Sequence, residues 1–317
     1  MNSDAIETLR QHLLAALNPA PVETRRLFHG RGRCWAGLEH VTADWLQGIV
    51  LVCLFREPEA AELEALKRML MTLIESPAWQ QSQAHTLLLQ HRYLPESTTE
   101  FLLGEERDEW QISENGLHFK LYIGKKQNNG LFLDMRYGRR WVQEQAEGKR
   151  VLNLFAYTCG FSVAAMAGGA EQVVNLDMAK AALSRGRDNH RLNGHDLSRV
   201  SFLGHELFKS WGKVKKYGPY DLIIIDPPSF QKGSFALSRD YQKILRRLPE
   251  LLAEQGTVLA CVNDPDTGPD FLIAGMAAEA PSLRFVERLE NPPEFPDIHG
   301  DSGLKALVFR QEHMRLS

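Results

Sequence analysis

From about residue 150 the chain alternates short apolar runs with amphipathic stretches of helical spacing. The apolar runs at 151–155, 172–177, 200–203, 221–226, 257–262, 284–289 and 304–310 read as strands. Helical patterns fill the gaps as far as the sixth strand, and this alternation predicts a parallel, doubly wound sheet. The last two strands are joined by a proline-rich stretch, 291–303, with no helical pattern. Parallel neighbours need a long crossover, so this final pair is expected to be antiparallel.

The first part of the chain has a different pattern. Ile6, Leu9, Leu13 and Leu17 share one face of an N-terminal helix, and 48–55 reads as a strand. Pro58 then opens a helix with Leu63, Leu66, Leu70 and Leu73 on one side, and 85–90 reads as another strand. A hairpin with Asn115-Gly116 at its tip joins Trp110-Gln111-Ile112 to the run 118–122. A basic loop follows, Lys125-Lys126-Gln127-Asn128-Asn129-Gly130. The expected organisation is an N-terminal α+β domain over 1–110, a hairpin and basic linker over 111–136, and an α/β domain over 137–317.

Composition narrows the class without naming it. Hydrophobic residues make up 44% and charged residues 24% of the 317, as in ordinary water-soluble domains. No apolar run is long enough to span a bilayer, and the N-terminus lacks the basic start and cleavage pattern of a secretory signal. The four cysteines, Cys34, Cys53, Cys159 and Cys261, are scattered, with no CxxC and no Cys/His cluster. A reduced, cytoplasmic protein without a metal site is therefore expected. Net charge is −3, yet Arg25-Arg26 with Arg31 and Arg33, Arg136 with Arg139-Arg140, and Lys213 with Lys215-Lys216 form local basic clusters. Such clusters suit phosphate, although most basic clusters of this kind are solvated surface charges.

The candidate chemistry lies at strand ends. The fourth strand of the alternating region runs into Asp226-Pro227-Pro228-Ser229-Phe230. Asp226 offers a rigid acceptor, Pro227 and Pro228 offer free carbonyls, and Phe230 offers a flat ring, a set that suits a planar, amino-bearing group. Asp-Pro-Pro also ends strands for purely structural reasons. Gly160 permits close backbone approach where a helix starts after the first strand. Asp177 and Glu206 end the second and third strands, where carboxylates meet ribose hydroxyls and an adenine amino group. No GxGxxG is present, which argues against a dinucleotide. An adenosine ligand without a pyrophosphate fits S-adenosylmethionine.

Three segments in order, 130–136 (Gly-Leu-Phe-Leu-Asp-Met-Arg), 151–161 and 225–230, resemble the bacterial 23S ribosomal RNA methyltransferases of the cytosine-5 and guanine-N7 types. The similarity covers roughly residues 40 to 310. It implies a Rossmann-like class I methyltransferase fold of seven strands with the last antiparallel. It implies S-adenosylmethionine held by Phe132, Asp134 and Arg136, by the turn with Asn153, Phe155, Tyr157, Thr158 and Gly160, and by Asp177, Glu206 and Asp226.

The chain departs from the pattern in three places. Cys159 replaces the usual glycine of the turn, where its thiol is expected to narrow the methionine pocket or demand a negative φ. His205-Glu206 replaces an acidic pair. No N-terminal RNA-binding module of the cytosine-5 branch is recognisable.

Cytosine C5 needs a cysteine adduct, and the position that carries this cysteine in the cytosine-5 branch corresponds to Asn263. The guanine-N7 branch also has asparagine there. Cys261, two residues earlier, reads as a core residue. Lys305 reads as a substrate contact or as an exposed side chain.

The resulting expectation is methyl transfer to an RNA base, in ribosomal RNA, at N7 or an exocyclic nitrogen, with Asp226, Pro227, Pro228, Phe230 and Asn263 at the acceptor. Two alternatives stay open: methylation of a protein side chain or small molecule, and an inactive RNA-binding protein of this fold. A homodimer is also left open.

Overall fold

The computed structural model describes residues 1–124, 128–232 and 234–312. Residues 125–127 of the expected basic loop lie outside the described residues. The chain forms two compact units, one of residues 1–133 with 292–300, the other of 134–291 with the residues from Asp301 onward. No helix among the described residues is long and apolar enough to cross a membrane.

The first unit is built on a five-stranded sheet, β1 (Arg25–His29), β2 (Val41–Trp45), β3 (Ile49–Leu54), β4 (Thr86–His91) and β5 (Thr99–Leu103), in that spatial order. Only β3 and β4 are parallel. The helices α1 (Ser3–Ala16), α2 (Ala60–Ile74) and α3 (Pro77–Ser82) bury Leu9, Leu13, Leu66, Leu70 and Trp79 in a core shared with the sheet. Asn2 caps α1 by accepting from the Ala5 N–H at 2.8 Å. The hairpin β6 (Trp110–Glu114) and β7 (Leu117–Leu121) turns through Asn115 and Gly116, both at positive φ (53° and 75°). That pair of angles matches the right-handed twist of the strands. Glu23 fixes the tip by accepting the N–H groups of Asn115 and Gly116, each at 2.8 Å.

The second unit holds a seven-stranded sheet. In chain order its strands are β8 (Arg150–Leu154), β9 (Gln172–Leu176), β10 (Val200–Leu203), β11 (Tyr220–Ile225), β14 (Leu252–Val262), β15 (Leu283–Leu289) and β16 (Lys305–Gln311). A short ribbon of β12 (Phe230–Gln231) and β13 (Phe235–Ala236) stands apart. The spatial order is β10-β9-β8-β11-β14-β16-β15. The first five of these are mutually parallel, and β16 is antiparallel to both β14 and β15, as the connection lengths require. The doubly wound class I arrangement expected from sequence is therefore present. Its helices are α4 (Arg136–Gln145), α5 (Gly160–Ala167), α6 (Lys180–Leu192), α7 (Trp211–Lys216), α8 (Leu237–Leu245), α9 (Leu248–Leu251) and α10 (Asp270–Glu279). The two faces of the sheet carry separate apolar cores, one around Ile223, Tyr241, Leu248 and Phe309, the other around Val142, Phe161, Leu222 and Leu259. Central strands buried on both faces leave only their ends for chemistry.

Candidate active site

Strands β9, β8, β11 and β14 deliver their carboxyl ends to one edge of the sheet. The turn after β8 is held in an unusual form: Phe155, Tyr157 and Cys159 all have positive φ (57°, 49° and 64°). A non-glycine residue there costs about 1–2 kcal/mol, so the surroundings must over-determine the shape. They do so with hydrogen bonds. Asp177 Oδ2 accepts the Tyr157 N–H at 2.8 Å, and Asn189 Nδ2 donates to the Thr158 carbonyl at 3.0 Å. The Cys159 N–H donates to Ala156 O at 2.8 Å.

Cys159 corrects one expectation. Its φ is positive, and its thiol is fully buried beside Ala156 and Leu183, against α6, rather than in a pocket at the sheet edge. It fits because position 186 is glycine. A Cβ on Gly186 would lie 2.3 Å from the Cys159 sulfur and 2.8 Å from its Cβ. Gly186→Ala is therefore expected to destabilise the protein by about 1–3 kcal/mol through overpacking. Cys159→Gly in the same chain should restore most of that loss, as measured by urea denaturation; additive losses in the double variant would refute the pairing.

Below the turn runs a buried polar chain. Asn153 Nδ2 donates to Asn175 Oδ1 at 2.9 Å, and Asn175 Nδ2 donates to Ser162 Oγ at 2.8 Å. Ser162 Oγ lies 2.7 Å from His190 Nε2, whose Nδ1 is 3.0 Å from His195 Nδ1. Burial, with the neighbouring His195, pushes His190 down to about 3, so it stays neutral. Asn153 is thus placed under the turn as a brace, with its side chain buried in the sheet. Thr158 is likewise buried, and Gly160 begins α5.

A narrow apolar slot opens at the edge beside this turn. Phe155, Leu176, Leu207 and Phe235 line it, with Asp177 and Glu206 among its walls. The rings of Phe155 and Phe235 meet edge-on, centroids 5.0 Å apart. Asp177 uses one lone pair of each oxygen on the Tyr157 and Ala179 amides, both at 2.8 Å, which leaves acceptor capacity on each oxygen. Burial raises its affinity for a proton, and the two amides oppose that shift. Glu206 is anchored by Lys209 at 2.6 Å. A flat apolar ring with hydroxyl and amino donors at its margin suits this set, so the residues fit an adenosine moiety. His205, noted from the sequence, lines the slot as well. Met178, Phe208, Gln231 and Ser234 complete the wall. None of these is marked by a sequence motif; the ribbon β12–β13 brings in the last two by folding back after Phe230.

The second group sits at the ends of β11 and β14. Asp226 is partly buried, Pro228 is exposed, and Phe230 is 68% exposed, so its ring is available for stacking and does not belong to the core. Burial and the nearby Asp134 raise Asp226 to about 7, and the buried Arg139 opposes that shift. Asn263 is exposed, and its Nδ2 donates to Asp134 Oδ2 at 3.1 Å. Beneath them the buried Tyr241 hydroxyl donates to Cys261 O at 3.0 Å and approaches Ile225 O at 3.4 Å, tying the two strand ends together. Lys305 is neither exposed nor free: fully buried, its Nζ donates to Asp264 O at 2.6 Å and Asp301 O at 3.0 Å, and so holds the loop that carries Asn263. Arg136 is buried with its guanidinium 4.7 Å from the Tyr137 ring centre, so Arg136 and Arg139 are not the solvated surface charges that clustering alone suggests. Phe132, the remaining predicted cofactor contact, lies in the first unit and is 46% exposed.

Comparison with known proteins gives a consistent picture. A family model described as S-adenosylmethionine-dependent methyltransferase matches residues 25–310. The chain is 38% identical over 152 residues to ribosomal RNA large subunit methyltransferase I of Aeromonas salmonicida, across 47% of this chain and 38% of that protein. It is 28% identical over 290 residues to YwbD of Bacillus subtilis, a candidate ribosomal RNA large subunit methyltransferase, across 86% of this chain and 70% of the other. The chain thus spans well under half the length of the first relative and about two thirds of the second. Among solved structures, SMU.776, a methyltransferase candidate complexed with SAH, superposes with a TM-score of 0.84 at 24% identity, over 97% of this chain and 81% of that one. At that identity the likeness shows the fold.

Proposed function

This chain belongs to the S-adenosylmethionine-dependent methyltransferase family, and on that premise we propose that it methylates a base of ribosomal RNA at a nitrogen, without a cysteine adduct. The observation that carries the proposal is the corner of Asp226, Asn263 and exposed Phe230 beside the slot with Asp177 and Glu206. The relatives named as ribosomal RNA large subunit methyltransferases support the substrate class.

S-adenosylmethionine supplies the methyl group as an electrophilic sulfonium. The chain's own residues supply position and charge. Asp177 and Glu206 accept from the hydroxyl and amino groups of the adenosine, and the braced turn sets the distance between the slot and the acceptor corner. At the corner, Phe230 stacks on the target base. For an exocyclic amine, the Asp226 carboxylate and the Pro227 carbonyl accept its two N–H groups and orient the nitrogen lone pair. The proton released after transfer passes to Asp226. For N7 no proton is released, and the second Nδ2 hydrogen of Asn263, the one not given to Asp134, donates to a neighbouring base oxygen.

A cysteine mechanism is disfavoured by placement. Cys261 is fully buried, and burial together with Asp226 and Asp134 pushes its thiol well above the ordinary value. Cys261→Ala is expected to keep turnover within about twofold of the parent while lowering stability by about 1 kcal/mol through the small cavity left behind. Transfer of a labelled methyl group from S-adenosylmethionine to RNA measures the first, urea denaturation the second. Loss of turnover with intact binding of S-adenosylhomocysteine would overturn the nitrogen assignment.

A further inference from the structure

Away from the acceptor corner, the second unit carries a concave surface where α7 meets α8 and α9. Phe208, Trp211, Lys243, Arg246, Arg247 and Pro249 line it, together with one carboxylate, Glu250. The rings of Phe208 and Trp211 lie edge to face, centroids 6.2 Å apart, and both are only partly buried. A cation attends each ring: Lys243 Nζ is 5.6 Å from the Phe208 centroid, and the Arg247 guanidinium is 5.7 Å from that of Trp211. Lys209, Lys213, Lys215 and Lys216 are exposed on the adjoining turn and on α7.

The carboxylates of the neighbourhood are fewer. Lys209 pairs with Glu206 at 2.6 Å, and Arg246 with Glu279 at 2.7 Å. Lys243 and Arg239 share the buried Asp240. Lys215 and Arg247 share Glu250, at 2.8 and 2.7 Å, which bridges α7 to α9 and fixes the width of the cleft. The surface therefore keeps an excess of positive charge around two accessible aromatic rings. A merely solvated face needs no such rings, and a protein-docking face is depleted of lysine at its centre. Cations that track phosphates, interleaved with rings that stack on bases, are the combination that single-stranded nucleic acid uses.

We infer that this cleft binds an unpaired stretch of the RNA substrate remote from the methylated base, with Trp211 stacking on a base and Arg246 and Arg247 on phosphates. The inference rests on the proposal that the substrate is RNA. Phe208 belongs both to this cleft and to the wall of the candidate adenosine slot, so RNA held here is continuous with the reacting edge of the sheet.

The test is fluorescence anisotropy of the full chain with a fluorescein-labelled uridine 20-mer and with protein-free 23S ribosomal RNA, across a salt series. Trp211→Ala is expected to weaken binding by roughly tenfold. Arg246→Ala with Arg247→Ala should weaken it and reduce the salt slope by about 1.4, two phosphate contacts at roughly 0.7 each. Binding of S-adenosylhomocysteine should not change. Trp211 packs partly on the core, so the arginine pair decides: its side chains are 64% and 46% exposed, and their removal is expected to leave the fold intact, as an unchanged melting temperature would show. Parental affinity and salt slope in that double variant overturn the cleft assignment while leaving RNA as substrate. If the parent protein itself neither binds nor methylates RNA, the substrate reading fails and the cleft assignment with it.

Discussion

Asp226→Asn will lower kcat for methyl transfer to RNA by about a hundredfold or more and will raise the melting temperature above neutral pH. The loss of rate follows from the corner's chemistry. On the proposed exocyclic-amine route the carboxylate accepts an N–H of the base, and an amide in its place presents a donor to a donor; a parental kcat in this variant would instead favour N7. Removing one preorganised group of this kind typically costs 10²–10³-fold in rate.

The gain in stability follows from burial. Desolvation and Asp134 lift Asp226 from 3.8 to about 7 in the folded chain. Between those values the folded state holds a proton that the unfolded state has released. Stability therefore falls as pH rises through that window, and the penalty is complete above 7. Asparagine carries no charge, so the variant gains nothing below about pH 4 and most above 7. Allowing for partial solvent access, the gain is on the order of 1–2 kcal/mol, or roughly 3–6 °C. The same ionisation should make the parent's kcat/KM rise through about pH 7, a limb that the variant lacks. A melting temperature that falls at pH 8 would show that Asp226 is a structural anchor instead.

Asp177→Ala is expected to weaken binding of S-adenosylhomocysteine by about a hundredfold or more, read by calorimetry. The carboxylate has two duties. It accepts the Tyr157 and Ala179 amides, and it presents its remaining lone pairs at the slot. A hydrogen bond to a charged group contributes about 1.5–3 kcal/mol, so losing the ligand contact while loosening the turn exceeds a single bond's effect. Asp177→Asn keeps one acceptor oxygen and should fall in between, near tenfold. Parental affinity in Asp177→Ala would mean that the slot takes something other than the adenosine.

The strands of the second unit are legible because each is an apolar run closed by turn-forming residues, and six of the seven fall within a residue of their observed bounds. The exception is β14, which starts at Leu252, not at 257. It pairs Leu252 with Tyr220 before an irregularity in the register, close to Gln255 at φ 61°, and its polar 253–255 stretch hides this start. In the first unit β1, β2 and β5 escape the hydrophobic pattern. β1 is Arg-Arg-Leu-Phe-His with a register shift between Arg26 and Phe28, and β2 buries Asp44, paired to Arg26 at 2.5 Å. A charge inside a strand reads as a loop until its partner across the sheet is known.

The site divides the same way. Acids at strand ends can be found from topology, because parallel strands must present them at one edge. Arg139 and Lys305 cannot, since their burial depends on neighbours remote in sequence. The left-handed turn is also hidden. Glycine would announce it, whereas here Cys159 adopts the angle and Gly186, twenty-seven residues on, supplies the space.

The most direct measurement takes ribosomal RNA from a strain lacking this protein, incubates it with the purified chain and S-adenosylmethionine, and identifies the nucleosides by mass spectrometry. One new monomethylated nucleoside carrying its methyl group on a base nitrogen is predicted. 5-Methylcytidine, or RNA that gains no methyl group while the protein binds S-adenosylmethionine, would contradict the account.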